Sequence, residues 1–137
     1  MKIVMDTNAY SDYAEGLPEI VEILATQSEE IYLPSIVLGE LYFGFLKGSR
    51  QRFNENRLDQ FIKLLDVQIV NINADVARKY GIIYLSLHKK GKKIPINDVW
   101  IAACCMYTGG ILLTRDSHFH AVDQIETIVI ESGSQAL

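Results

Sequence analysis

Cysteine is nearly absent: Cys104 and Cys105 are the only two in 137 residues, and they are adjacent. Neighbouring helical positions point about 100° apart, so the two thiols are poorly placed to bridge each other. They read as small core residues rather than redox or metal groups. No hydrophobic run reaches the roughly 20 residues that a membrane helix needs. The longest uncharged apolar stretch, Val99 to Leu113, is broken by "TGG" and reads as a buried helix, a tight turn and a buried strand. The start, "MKIVMDTN", turns polar too soon for a secretory leader. These absences predict a cytoplasmic protein with no membrane association. Positive charge is not in excess either: 13 basic and 17 acidic residues give a net charge of −4, which is no overall nucleic-acid-binding footprint. There is no P-loop and no G-x-G-x-x-G, and Ser11, Ser35 and Ser117 have no evident His–acid pair for nucleophilic catalysis. Internal repeats, low-complexity segments and interdomain linkers are missing too.

What is present is a normal globular balance, 49% hydrophobic and 22% charged residues. The length suits one domain with a sizeable core, expected to span residues 1–137. "KIVM" is a short buried strand. "LPEIVEILATQ" has Ile20, Ile23 and Leu24 at helical spacing. "EIYLP" reads as a strand ended by Pro34, with Ser35 as N-cap of the helix "IVLGELYFGFLKG". Gln51 to Leu65 forms an amphipathic helix with Phe53, Leu58, Phe61, Leu64 and Leu65 on one face. "VQIVNI" is a strand. Asn73 caps a long helix whose apolar set is Val76, Tyr80, Ile83, Tyr84 and Leu87. Asn97 caps the helix that begins near Asp98, on which Trp100 and Tyr107 read as core. "GGILLT" and "ETIVIE" supply the last two strands. Strands alternating with helices, with strand runs apolar on both faces, predict an α/β/α sandwich around a mainly parallel sheet.

The basic residues are unevenly spread. Lys47, Arg50, Arg52 and Arg57 lie in "KGSRQRFNENR", and Lys89, Lys90, Lys92 and Lys93 fill "HKKGKK". Either they are solvated helix ends and loops, or they are phosphate-contacting patches flanking an acidic site. On the second reading Arg50, Arg52, Lys89, Lys90, Lys92, Lys93 and Arg115 are candidate phosphate contacts.

Four carboxylates stand in matching places. Asp6 directly follows the first strand, and Asp116 comes just after "ILLT". Asp98 is the one formal charge in "IPINDVWIAACCMYTGGILLT", and Glu40 is the one charge between Glu30 and Lys47. In a parallel α/β sheet ligands bind beyond the carboxyl ends of the strands, and a helix that follows a strand starts at that same edge. All four acids are therefore expected to converge in one pocket. Singly, Asp6 could be a turn residue before a helix, Asp98 a favourable anion at a helix N-terminus, and Asp116 the start of a turn. Glu40 has no such local role. Carboxylates packed together repel unless protons or cations intervene, and oxygen-rich clusters suit Mg²⁺ or Mn²⁺. No Lys or Arg lies within the stretch around Asp98, so a metal ion is its expected partner. His118 and His120, in "HFH", would share a face on a strand but are too few for a zinc site, which leaves them surface or supporting roles beside Asp116.

These residues carry a resemblance. "MDTNAY", the single Glu of "SIVLGELYFG", "NDVWIAACC" and "LLTRDSHF", in that order and over nearly the whole chain, resemble PIN-domain nucleases, most closely the VapC-type toxins. The ordered combination makes the resemblance specific, since each motif alone is weak. It implies that Asp6, Glu40, Asp98 and Asp116 bind one or two Mg²⁺ or Mn²⁺ ions for RNA hydrolysis, leaving 5′-phosphate and 3′-hydroxyl ends. It implies supporting roles for Asn8 and Thr114, and Asn97 joins them as a helix cap. A homodimer and a small cognate antitoxin that blocks the site are implied as partners. Two other readings stay open on the residues alone. A phosphoryl-accepting receiver domain would want paired acids after the first strand and a late lysine, where this chain has one acid in "MDTN" and arginine in "LLTRD". A non-catalytic module could keep the acidic pocket for metal-dependent recognition.

Overall fold

The apolar runs become a parallel sheet. In the computed structural model, which describes residues 1–131, β1 (Lys2–Met5) buries Ile3, Val4 and Met5 completely. A strand with so little solvent-facing surface needs cover on both faces and neighbours on both edges. β2 (Glu30–Pro34) pairs on one side, with Ile31 opposite Ile3, and β4 (Ile111–Thr114) on the other, with Ile111 opposite Ile3. β3 (Gln68–Val70) and β5 (Glu126–Val129) form the edges in the order β3-β2-β1-β4-β5, and every pairing is parallel. The strand order runs outward in one direction from β1 and in the other from β4. A crevice therefore opens at the carboxyl ends of those two strands, where ligands bind in such sheets.

The helices are α1 (Thr7–Ala14), α2 (Pro18–Thr26), α3 (Ser35–Lys47), α4 (Gln51–Leu64), α5 (Ala74–Lys89) and α6 (Ile96–Thr108), with a 3-10 turn at Ser117–Ala121. They flank the sheet, giving the expected α/β/α sandwich, and none is long and apolar enough to cross a membrane among the described residues. Cys104 and Cys105 are free and buried on α6, and burial raises their thiols to about 11 and about 12. The "TGG" turn has a steric origin. Gly109 ends α6 at φ 72°, a left-handed conformation that suits glycine. A Cβ on Gly110 would stand 2.9 Å from the Lys2 carbonyl oxygen, so the chain enters β4 only without a side chain there.

Several local expectations need correction. The segment after Asp6, for which the apolar pattern supplies no element, is α1. Ser35 is the first residue of α3 and makes no capping bond, because Pro34, extended at φ −60° and ψ 143°, occupies the cap position. Pro95 does the same for α6, so Asn97 lies inside the helix and is no cap. Asn73 does cap α5, its Oδ1 accepting the Val76 N–H at 2.9 Å. On α4 only Leu58 and Phe61 are buried, while Phe53, Leu64 and Leu65 are exposed; on α5, Tyr84 is exposed as well. Trp100 packs in the fold, stacked on Tyr80 with ring centroids 3.9 Å apart. Tyr107, in the last turn of α6, is exposed with the Lys79 ammonium 6.0 Å from its ring centroid.

Candidate active site

Asp6 leaves β1 at the carboxyl edge and opens α1. Its Oδ1 accepts the Ala9 N–H at 2.9 Å, a helix cap. Its Oδ2 accepts the hydroxyl of Thr114, the last residue of β4, at 2.5 Å, so one carboxylate ties the two strands together at the crevice. The Thr114 hydroxyl oxygen in turn accepts the Asp116 N–H at 3.0 Å. Asn8, on α1, donates its amide to Asp116 Oδ2 at 3.3 Å. Glu40 reaches in from α3 and is held from two sides: Thr7 donates to Oε1 at 2.5 Å and Asn97 to Oε2 at 3.2 Å. Asp98, in the first turn of α6, accepts the His118 Nε2–H at 2.9 Å on Oδ2. Asp6, Glu40, Asp98 and Asp116 thus line one open cleft of about 520 Å³, together with Thr7, Asn8 and Asn97.

The acids sense each other. Burial raises the Asp6 carboxyl from 3.8 to about 6; the charges of Asp116 and Asp98 add to the rise, while the bonds from Thr114 and Ala9 oppose it. Asp98 is also raised, chiefly by burial, with Glu40 and Asp116 adding and His118 opposing. Burial and mutual repulsion outweigh the local hydrogen bonds at both residues, as expected where several carboxylates share one cleft.

The donor set fits a hard divalent ion. Among the described residues no three His, Cys, Asp or Glu side chains form a ready-made metal cage, and both oxygens of Asp6 and of Glu40 already hold hydrogen bonds. Mg²⁺ characteristically keeps several waters and binds through one or two carboxylates plus substrate phosphates rather than a full protein cage. An open cleft whose charged groups are all carboxylates matches that habit and that of Mn²⁺.

The structure brings together the four acids and Asn8, Thr114 and Asn97, although Asn97 arrives through Glu40 rather than as a cap. Among the described residues the side-chain partner of Asp98 is neither Lys nor Arg but His118, from outside the apolar stretch. The "HFH" segment is a 3-10 turn rather than a strand, so His118 turns to Asp98 while His120 is exposed, and the two share no face. None of the candidate RNA-contacting residues lines the cleft. Lys92 and Lys93 stand just before Pro95 and Ile96 of its wall, and Arg115 precedes Asp116, with Nε 3.5 Å from Asp12 Oδ2. Lys90 is engaged by Asp123 at 2.6 Å and the Ala121 carbonyl at 2.8 Å. Arg50 lies over the Phe53 ring at 4.0 Å, on a separate pocket with Arg57 and Tyr10. Arg52 and Lys89 are exposed. Sequence reasoning missed Thr7, and it left His118 between a surface and a supporting role without naming Asp98 as its partner. Thr7 would have stood out had α1 been recognised, since it then follows Asp6 at the helix start facing the same edge. For His118 the signal was a turn-forming imidazole two residues beyond Asp116.

Comparison with known proteins agrees with this fold. Residues 3–125 match the PIN domain family. Ribonuclease VapC2 of Rickettsia felis is 30% identical over 120 residues, covering 85% of this chain and 87% of that protein. The structure of VapBC2 from Rickettsia felis, bound to a DNA fragment from their promoter, superposes with a TM-score of 0.81 at 26% identity, over 94% of this chain and 98% of that one. VapBC-5 from Mycobacterium tuberculosis, a member of the VapBC family of toxin–antitoxin systems, does so with a TM-score of 0.71 at 26% identity and the same coverage. The receiver-domain alternative is set aside by the family match. With its four acids in sequence order around the crevice of this sheet, the chain belongs to the PIN-domain family, among the VapC ribonucleases.

Proposed function

We propose that the chain is a single-domain, Mg²⁺- or Mn²⁺-dependent endoribonuclease, the toxin of a toxin–antitoxin pair, with Asp6, Glu40, Asp98 and Asp116 as its active site. The observation that carries this reading is the convergence of four acids, spread over more than a hundred residues, in one cleft at the switch point of a PIN sheet. Asp6, Asp98 and Asp116, with Glu40, would hold one or two ions, which when bound lower the pKa of a water and screen the phosphate charge. The chain's own groups prepare that site. Thr114 and the Ala9 N–H fix both oxygens of Asp6, and Asn8 steadies Asp116. Glu40, clamped by Thr7 and Asn97, would complete the ligand set or orient the attacking water. Water oxygen bonds to phosphorus as the bond to the 3′-oxygen breaks, the proton that the water gives up balances the one that the 3′-oxygen takes up, and the products carry 5′-phosphate and 3′-hydroxyl ends. No 2′-hydroxyl nucleophile is needed. Lys92 and Lys93, next in sequence to the cleft wall, would meet the RNA backbone, whereas Arg115, paired with Asp12, and Lys90, committed to Asp123, are less available.

Purified protein is expected to cleave single-stranded or loop RNA with Mg²⁺ or Mn²⁺ and not in EDTA, with ligation-based end mapping finding 5′-phosphates. Absence of metal-dependent cleavage across a set of structured RNAs would leave the non-catalytic recognition module as the better reading. The VapBC relatives support an antitoxin partner, and the two free cysteines suit the reducing cytoplasm. A homodimer is supported by Phe43 and Leu46 on α3, 64% and 63% exposed, which one sheet-backed core leaves uncovered. Light scattering is expected to give twice the mass of one chain; a monomer alone would count against the dimer.

A further inference from the structure

We propose that His118 is a positioning residue for the metal site: its imidazole holds one oxygen of Asp98 so that the other is presented to the cation. The inference rests on the nuclease reading above and extends it to a residue outside the four acids. Three observations carry it.

His118 Nε2 lies 2.9 Å from Asp98 Oδ2. A carboxylate can only accept, so the proton of this bond sits on Nε2 and the ring donates it. Among the described residues Asp98 Oδ1 receives no side-chain hydrogen bond, which leaves that oxygen for the ion. Secondly, the ring is itself held. The 3-10 turn Ser117–Ala121 carries it, and it packs on Phe119, fully buried, with centroids 4.8 Å apart. Thirdly, the contact joins two elements that bear acids. Asp98 starts α6, and Asp116, two residues before His118, leaves β4. The bond therefore ties the start of α6 to the turn that follows β4. His118 is not placed as a ligand, because its Nε2 is committed to Asp98 and no third group joins the pair in a metal cage among the described residues. Partners that orient a ligating carboxylate fix its direction, and losing one typically weakens metal binding about 10–100-fold.

The test is Mn²⁺ affinity, read by the EPR signal of free Mn²⁺, together with cleavage against Mn²⁺ concentration. His118→Phe keeps a ring on Phe119 and removes the donor. It is expected to raise the Mn²⁺ Kd about 10–100-fold and to shift the Mn²⁺ dependence of cleavage, with activity returning at excess metal. His118→Gln carries an amide N–H at a reach close to that of Nε2 and is expected to restore affinity, whereas His118→Asn, one carbon shorter, is not. Melting in EDTA checks that each variant folds. If the Phe variant is unfolded, the Gln and Asn pair carries the comparison. Unchanged Mn²⁺ affinity in folded Phe and Asn variants, beside a wild type that binds Mn²⁺ and cuts RNA, overturns this role and leaves the nuclease reading intact. A Gln variant as weak as Phe or Asn also overturns it, since the donor would then not matter. A wild type that binds no Mn²⁺ and cuts no RNA overturns both readings at once.

Discussion

Asp98→Asn is expected to abolish metal-dependent RNA cleavage while leaving the fold intact. The amide has the shape of the carboxylate, and its oxygen can still accept the His118 Nε2–H that now reaches Asp98 at 2.9 Å. What it lacks is negative charge facing the cation. Metal stabilisation of a phosphoryl transition state is worth several kcal/mol, and about 4 kcal/mol corresponds to roughly a thousandfold in rate. Cleavage should therefore fall to near background at any Mn²⁺ concentration, unlike the His118→Phe defect, which excess metal corrects. The fold should not suffer. Asp98 sits in the first turn of α6, where a charge favours the helix by about 0.3–1 kcal/mol. Its carboxyl is nonetheless raised, so burial and the neighbouring acids outweigh that gain. In EDTA the variant should melt no lower than wild type. Full cleavage by a preparation free of contaminating nuclease would remove Asp98 from the mechanism. A clearly lower melting temperature in EDTA would make the residue a helix-terminus anion first.

The second large effect is expected at Asp6, on stability. Its carboxyl is raised by burial from 3.8 to about 6 in the folded protein. For an acid raised in this way the folded state binds the proton more tightly than the unfolded state. The folded protein thus bears a penalty that is complete above pH 6, shrinks as pH falls towards 3.8 and is gone below it. A difference of about two units corresponds to about 3 kcal/mol. Asp6→Asn removes the charge and keeps the architecture, because Asn caps a helix as well as Asp does and its amide can donate to the Thr114 hydroxyl oxygen. In EDTA at pH 8 the variant should be more stable than wild type by up to about 3 kcal/mol, on the order of 10 °C for a domain of this size. The gap should close as pH is lowered to 4. Added Mn²⁺ at a hundredfold excess over Kd should stabilise wild type by about 2.7 kcal/mol and the variant much less. Thermal melts of both proteins across pH, with EDTA or Mn²⁺, give the answer. A pH-independent gap would mean that packing, not charge, separates them, and equal Mn²⁺ shifts would mean that Asp6 is no ligand.

The sheet was readable because its signal is local. "KIVM", "EIYLP" and "ILLT" are apolar on both faces, and each forms a strand with the bounds read from the sequence. The acids were readable for a related reason: a charge in an apolar run, as at Glu40 and Asp98, costs free energy unless something pairs with it. α1 was not readable. Its segment "TNAYSDYA" has a weak apolar stripe, and the capping bond that starts it, from Ala9 to Asp6, depends on where β1 ends. The starts of α3 and α6 were misread because Ser35 and Asn97 look like caps, whereas a proline before each already holds the extended backbone at the cap position.

The chain's periodicity, its punctuation by glycine and proline, and the placing of isolated acids thus determined the fold class and four of the residues at the site. Those properties belong to single segments and survive being read one stretch at a time. Tertiary structure alone decided who holds each acid. Thr114 meets Asp6 across 108 residues, Asn97 meets Glu40 across 57, and His118 meets Asp98 across 20. Such pairs leave no periodic trace, because a hydrogen bond fixes a distance and an angle between side chains and not a spacing along the chain. They exist only once the parallel sheet has set β1 beside β4 and brought the starts of α1 and α6, and the side of α3, to the same edge.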